Sequence, residues 1–431
     1  MHNIALLLIV LSFSVSAQSL SEILNLTYKN NSTLKSFDYR SDAYKAKAKA
    51  SGIYPAPQLM FTVNQIPWPD GNPLNEAYSQ ELSFSQMFMT GGKLSAMRNA
   101  ELKGIPLADA QKSAFKARLA AEITESYFNL WVMDQELALQ TRYNNLISRL
   151  ITLVTALSSS GSRAAELLTL KSEAAVSLVS INKMEAERRS MELMLLGQTG
   201  VSDSLLNSIL PVLQPSDTLS GISIAADSQV NPQLSVMYAM EEMLLAEKDA
   251  VSRELYPDLM AELMFMRMPL GMPLTTKTDP DMIHDLGKGE TEYMYGLRFS
   301  ITLPFLPGYS AKINQNAEEK ALQQKSIAME RENMNRMFNR ESASLREEYL
   351  ATFRLIHSYR TEVLPLLRQN IQLLESLFSS GQADLVTLLR EEKMYIMNEM
   401  DMLGLIKKLL VLKAKYIPYT DFEKLSQEGQ L

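Results

Sequence analysis

The chain has 431 residues with 42 Lys and Arg against 49 Asp and Glu, a net charge of −7. Its length suits two or three compact domains or one elongated one, and its mildly acidic balance argues against a nucleic acid or other polyanion as partner. Cysteine is absent, which removes disulfide frameworks, thiolate metal sites, catalytic thiols and a lipid-bearing N-terminal Cys, while methionine is abundant at 26 and histidine scarce at three.

Met1 to Ala17 reads as an export signal, with an apolar stretch from Ile4 onward and small residues in Val15-Ser16-Ala17, although no Lys or Arg precedes it. That stretch is too short to span a bilayer, and no later stretch reaches the ~20 apolar residues a spanning helix needs. An exported chain of this kind is soluble or enters a membrane as a β-barrel. Short helices are expected at 21–29 and 34–51, the second stopped by Gly52, Pro55 and Pro57. The hydrophobic period then changes to two. In 58–64, Leu59, Phe61 and Val63 share one face, and in 81–89 Leu82, Phe84 and Phe88 do the same, with a Pro- and Gly-rich loop between the runs. Gly91-Gly92 ends this hairpin. A helical hairpin over 94–196 follows, kinked at Gly104-Ile105-Pro106 and bent at Ser158 to Gly161, and 200–227 is an irregular linker.

The order then repeats. Asn231-Pro232 opens a helix that breaks at Tyr256-Pro257, as the first breaks at Tyr54-Pro55. Strands are expected at 259–268 and 293–303, around a loop that contains His284 among Asp279, Asp281 and Asp285. A second helical hairpin covers 312–417, with its bend at Ser379 to Asp384, and a tail covers 418–431. Leu82-Ser83-Phe84-Ser85 answers Leu297-Arg298-Phe299-Ser300, and Ser160-Gly161 answers Ser380-Gly381. The chain therefore reads as two repeats, 18–227 and 228–417, each running helix, strand, strand, long helix, bend, shorter helix.

The final return helix carries the clearest signal. Leu388, Tyr395, Met402, Leu409 and Tyr416 recur every seven residues beside a second column of Leu389, Ile396, Leu403, Leu410 and Ile417. A seven-residue apolar period sets a helix lengthwise against partners. The outgoing arm has its own stripe of Leu355, Tyr359, Val363, Leu366, Leu373 and Leu377, and an unbroken helix from Lys312 to Phe378 would reach roughly 100 Å.

In the fourth strand Tyr293, Tyr295, Leu297, Phe299, Ile301 and Leu303 alternate with Met294, Gly296, Arg298, Ser300 and Thr302. Apolar-out, polar-in runs of this length suit a transmembrane barrel, and they suit a half-buried soluble sheet equally well. Four strands cannot close a barrel, for which about eight is the smallest case, and open edges are not tolerated in lipid. Several copies must then combine, three of them giving about twelve strands.

The duplicated plan resembles the outer membrane factor (TolC-like) efflux family over nearly the whole mature chain. The resemblance rests on Asn231-Pro232-x-Leu234, the two Tyr-Pro lead-ins, Leu303-Pro304-Phe305-Leu306-Pro307-Gly308, Val363-Leu364-Pro365 and Phe378 to Leu385. It implies a mainly α fold with a small β part: a homotrimer with an outer-membrane barrel of four strands per chain on a long periplasmic coiled-coil barrel. It implies no enzymatic activity. The helical tips would meet a periplasmic adaptor (membrane fusion) protein linked to an inner-membrane efflux pump. A type I secretion duct and a soluble periplasmic coiled-coil scaffold are the alternatives. Gly161, Gly381, Asp384, Thr387 and Arg390 fall at the tips. Family members often carry an acidic ring at the second tip, and Thr387 and Arg390 depart from it, so Arg390 is expected to close the mouth through ion pairs with neighbouring chains.

By alternation Met60, Met87, Met260, Met264 and Met294 point into the lumen, and Met266 and Met268 share the face of Met260 and Met264. Thioethers are soft ligands that select Cu(I), so Met260, Met264, Met266 and Met294 are candidate metal contacts and copper or silver a candidate cargo, alongside organic drugs. The resemblance extends to the heavy-metal (CusC-like) branch of the family. Filling of space by an adaptable apolar residue is the alternative reading of these methionines. His357 reads as structural, and the run Glu185 to Arg189 as a solvated helix face. No nucleophile, base and orienter stand at meaningful spacing, and no cofactor is implied.

Overall fold

A computed structural model describes residues 20–66, 68–69, 71–157, 164–200, 231–269, 291–380 and 382–419. The signal at 1–17, nearly all of the linker, His284 with its loop, and Gly161 and Gly381 lie outside the described residues. The elements are α1 (Leu20–Asn30), α2 (Ser32–Ser51), β1 (Gln58–Asn64), β2 (Ser79–Met89), α3 (Lys93–Leu102), α4 (Gly104–Leu157), α5 (Ala164–Thr199), α6 (Pro232–Ser252), β3 (Asp258–Met268), β4 (Glu292–Ile301), α7 (Pro307–Ser358), α8 (Leu364–Ser379) and α9 (Leu385–Tyr416).

The chain divides into two compact units, one of 1–37, 110–236 and 332–431, the other of 38–109 and 237–331. Among its described residues the first unit has helices and no strand. Its core gathers Ile23, Ile123, Tyr127, Leu130, Leu195, Ile356, Leu409 and Leu410, all fully buried. Both heptad columns of α9 behave as predicted: Tyr395, Leu409 and Tyr416 are buried in one, and Ile396, Leu403, Leu410 and Ile417 in the other. Upstream, the buried positions are Tyr349, Ile356 and Ile371, while Leu355, Leu366 and Leu373 of the predicted stripe stay exposed. The predicted unbroken arm is also interrupted. A π turn at Tyr359–Val363 separates α7 from α8; Pro365, the second residue of α8, has no N–H to offer the Thr361 carbonyl four residues back, inside that turn, and its ring would crowd the same carbonyl.

The second unit holds the sheet and helices packed through small residues. Ala48, Ala96, Ala100, Ala108 and Ala317 are buried, and Gly104 sits so close to Tyr44 that a Cβ there would fall 2.3 Å from its ring. Ion pairs join these helices: Lys47–Glu101 at 2.8 Å, Lys103–Glu242 at 2.6 Å, Lys320–Glu247 at 2.7 Å and Arg331–Glu241 at 2.5 Å. The Asn231 side chain accepts the Gln233 N–H at 2.9 Å, with Pro232 opening α6 as predicted from that dipeptide.

The sheet is antiparallel with strand order β1-β2-β3-β4, so β1 and β4 are its edges. β4 ends at Ile301, two residues short of the predicted strand; beyond it the Thr302 N–H bonds to the Asp258 carbonyl at 2.9 Å and the Thr302 hydroxyl accepts the Asp258 N–H at 2.7 Å. The turn out of β2 is held from both sides. Gly91 and Gly92 have φ of 63° and 73°, Arg253 donates to the Gly91 carbonyl at 3.0 Å, and the Thr90 hydroxyl donates to the Pro257 carbonyl. A Cβ on Gly91 would lie 2.2 Å from the Tyr256 ring. Gly91→Ala is therefore expected to combine left-handed strain of about 1–3 kcal/mol with that collision. It should lower the temperature at which the β signal is lost in circular dichroism; an unchanged midpoint would mean that the turn does not anchor the sheet.

Candidate functional site

The sheet has two faces of opposite character, fixed by its register. One carries Leu59 and Phe61 of β1, Leu82, Phe84 and Phe88 of β2, Leu259, Leu263 and Phe265 of β3, and Tyr293, Tyr295, Leu297, Phe299 and Ile301 of β4. Every one of these side chains is exposed, up to 86% for Tyr295. Burying a side chain of this size is worth about 1.5–3 kcal/mol, so leaving the whole face in water forfeits on the order of 20 kcal/mol. That exceeds the net stability of about 5–15 kcal/mol typical of a folded protein. A face of this kind is made to be covered by something apolar.

The other face is polar and methionine-rich. Its rows across the sheet read Thr62, Glu81, Met266, Met294; then Met60, Ser83, Met264, Gly296; then Gln58, Ser85, Glu262, Arg298; then Met87, Met260, Ser300. Met89 and Met268 lie on the same side. The predicted methionines Met260, Met264, Met266 and Met294 thus come together on one face, Met266 directly opposite Met294 and Met260 directly opposite Met87. Glu262, only 5% exposed, accepts a bond from Arg298 at 3.0 Å. At the end of the sheet Lys93 reaches Asp258 at 2.7 Å in a largely buried pair, which ties the start of α3 to β3. Removing one partner of such a pair strands a charge, so it fixes the register where strand gives way to helix.

The second candidate region is the bend between α8 and α9 in the helical unit. The Gln382 and Ala383 N–H groups both bond to the Leu377 carbonyl, at 2.8 and 3.2 Å, and close the turn. Asp384 takes the N-cap position of α9 with extended backbone but makes no side-chain cap bond. One turn on, Thr387 is half-buried and Arg390 exposed. Arg390 lines a groove of about 450 Å³ with Leu170, Glu173, Leu389 and Lys393, between α5 and α9. Lys393 pairs with Glu173 at 3.0 Å, and the Tyr143 hydroxyl donates to the same carboxylate at 3.4 Å. Farther along, Arg142 pairs with Glu399 at 3.1 Å, and the guanidinium groups of Arg142 and Arg368 lie over the Tyr395 ring, 5.7 and 5.9 Å from its centre. These bonds link the second hairpin to the first.

Sequence reading missed this network. The available signal was the seven-residue spacing of Glu392 and Glu399 beside the apolar columns, matched by Arg142 and Arg149 on α4; flanking charges at that period set partner choice between helices. Two other expectations change. Arg188, within the run read as a solvated face, turns inward to Asp134 at 2.5 Å and to the buried Glu192 at 3.3 Å. His357 is exposed rather than built into a core.

With that geometry the chain can be set beside known proteins. No family model matches the sequence, and no curated protein matches it. Among solved structures it is similar to a membrane protein from Pseudomonas aeruginosa, at a TM-score of 0.71 and 14% identity over 93% of this chain and 92% of that one. It is similar to CusC, whose structures concern folding and transmembrane channel formation, at 0.68 and 15% over 93% and 91%. It is similar to the open state of the Neisseria gonorrhoeae MtrE outer membrane channel at 0.68 and 14% over 93% and 88%. This is the outer-membrane channel fold. The resemblance read from the motifs is borne out in that fold. Among the described residues no helix is long and apolar enough to cross a membrane.

Within the helical part of the channel fold, Glu392 lines a cavity of about 660 Å³ with Arg142, Arg149 and Asp134. Burial raises its pKa first, the Glu375 carboxylate adds to that, and Arg142 opposes it. A raised folded pKa means that the charged form is disfavoured on folding. Glu392 then subtracts from stability as pH rises from the unfolded toward the folded value, and subtracts nothing once protonated in both states. Glu392→Gln is expected to raise the thermal midpoint at about pH 7 and to leave it unchanged at about pH 3.5. A lower midpoint at neutral pH would show that attraction to Arg142 outweighs burial.

Proposed function

We propose that this chain is the outer-membrane exit duct of a tripartite efflux assembly. Three copies join their sheets, β4 of one to β1 of the next, into a twelve-strand barrel with the apolar face toward lipid and the polar face toward a water-filled lumen. The observation that carries this reading is the pairing of an exposed apolar face with two open strand edges. Lipid can cover the face but cannot satisfy the edges, and further copies satisfy both edges at once. A soluble scaffold would leave the face in water, and a secretion duct would share the barrel but take a polypeptide as cargo.

The duct is passive. The helical tips meet a periplasmic adaptor protein, which joins the duct to an inner-membrane pump, and opening moves the tips apart. Asp384 and the bends at Gly161 and Gly381 belong to those tips in this reading. Arg390, exposed beside the half-buried Thr387 and already facing the groove of Glu173 and Lys393, is placed to pair with a neighbouring copy and hold the mouth closed. The links Lys393–Glu173 and Arg142–Glu399 resist the same movement from within one chain.

Because the chain has no cysteine, pairs introduced at the edges report barrel closure without background. Phe61→Cys combined in turn with Tyr295→Cys, Leu297→Cys or Phe299→Cys is expected to give covalent dimers and trimers for at least one pair in outer-membrane fractions. Only monomer from every pair would contradict the closed barrel. In planar bilayers Arg390→Ala is expected to raise single-channel conductance severalfold, and an unchanged closed state would remove the gate from that residue.

A further inference from the structure

We infer that Arg267, at the end of the apolar face away from the helices, binds a phosphate of a phosphorylated glycolipid of the lipid A type; this rests on the exit-duct reading, which puts that face in lipid and that end in the outer leaflet. The first support is charge placement. The register sets Val63, Gln80, Arg267 and Tyr293 in one row, the last of the apolar face before the loops. Among the strand residues Arg267 is the one charged side chain on that face, whereas Glu81, Asp258, Glu262 and Glu292 all lie on the polar face. From Leu259 to Arg267 the strand β3 covers roughly 26 Å. The apolar band of a membrane barrel is about 25 Å tall, so the guanidinium stands near the level where hydrocarbon gives way to headgroups.

The second support is the way Arg267 is held. Its Nη1 donates to the Leu74 carbonyl at 3.1 Å and to the side-chain oxygen of Gln80 at 3.0 Å. Gln80 is buried and in turn donates to the Pro73 and Leu74 carbonyls, each at 2.8 Å. The loop behind them is closed by its own bonds, from the Leu74 N–H to the Asn72 side chain at 2.9 Å and from the Asn72 N–H to Glu76 at 2.8 Å. One nitrogen therefore does all the holding. Nε and Nη2, the two donors that match a pair of phosphate oxygens, carry no bond among the described residues, and no described carboxylate pairs with the guanidinium. A cation facing lipid without a counter-charge is costly, so this position calls for an anion from its surroundings.

The neighbours decide the class of ligand. Leu74, Tyr293 directly opposite across β3 and β4, and Phe265 stacked on Tyr293 with ring centres 5.8 Å apart are all exposed. Trp68, on the loop that joins β1 to β2, is exposed as well, and aromatic side chains of this kind settle at headgroup level. A soluble phosphate would meet the cation and leave these side chains in water, whereas a lipid brings phosphate and acyl chains together. A phosphate monoester carries close to two negative charges at neutral pH against one for the diester of a glycerophospholipid, which favours the phosphorylated glycolipid at a single guanidinium.

The test uses the full-length protein purified in detergent and counts the lipids it retains by native mass spectrometry. The probes are bisphosphorylated lipid A, the same lipid with its phosphates removed, and phosphatidylglycerol, at equal lipid-to-detergent ratios. The wild type is expected to retain bisphosphorylated lipid A at least about tenfold better than either of the others. Arg267→Gln should remove that preference, and Arg267→Lys, which keeps the charge and loses the fork, should fall between them. Lys325→Gln, exposed on α7, should leave it unchanged. If Arg267→Gln does not fold, Arg267→Lys carries the comparison. Equal retention with and without phosphates, equal retention of phosphatidylglycerol, wild-type preference in the Arg267 variants, or loss that follows Lys325 instead would overturn the proposal. Heat-modifiable migration of the same samples on gels tests the duct separately. Its presence with no phosphate preference removes the lipid site alone, and its absence in the wild type removes the barrel whatever the lipids do.

Discussion

A β-sheet in a membrane must satisfy every backbone N–H and C=O, because hydrocarbon offers no partner and each unsatisfied group costs several kcal/mol. In the exit-duct reading that requirement falls on β1 and β4, the two edges of a four-stranded sheet. The apolar face imposes the complementary demand, since water is the wrong solvent for Phe61, Phe265, Tyr295 and Phe299 and lipid the right one. Neither demand can be met by the chain alone. Lipid on one side and further copies at the edges meet both, and the exit-duct reading follows from that pairing.

The helical unit shows a milder form of the same incompleteness. Its interior is well built, with Ile123, Tyr127, Leu130, Leu409 and Leu410 fully buried. Around it Leu168, Val176 and Val179 on α5 and Leu355, Leu366 and Leu373 on the second hairpin remain exposed. Apolar residues in helical register on an outer surface suit side-by-side packing against copies of the same helix. The ion pairs between the hairpins then become adjustable contacts rather than the source of the fold. Exposed pairs such as Lys393–Glu173 are worth little individually, which suits the proposed parting of the tips.

Much of this was legible in the sequence because periodicity is a local property. The alternation of Tyr293 to Ile301 and the heptads of Leu388 to Tyr416 need no knowledge of distant residues, and both hold in the structure. Interactions that join distant parts of the chain were not legible. Lys93 and Asp258, Arg142 and Glu399, and Glu173 and Lys393 are each separated by more than 160 residues and meet only once the fold is set. Pro365 was visible, but the turn it perturbs precedes it, so a continuous helix was read where a π turn stands. The stripe through Leu355 and Leu366 was recognised, and its direction was not, because apolarity alone does not say whether the partner is the same chain or another. The methionines show both sides: alternation put them on one face, while only the register showed Met266 facing Met294 and Met264 over Gly296.

The account therefore turns on whether one copy is a finished molecule. Native mass spectrometry of the detergent-solubilised protein measures this directly. The account predicts a complex of three chains that persists on dilution in detergent and precipitates or unfolds when detergent is withdrawn. A folded single chain, stable at high dilution in plain aqueous buffer, would contradict it.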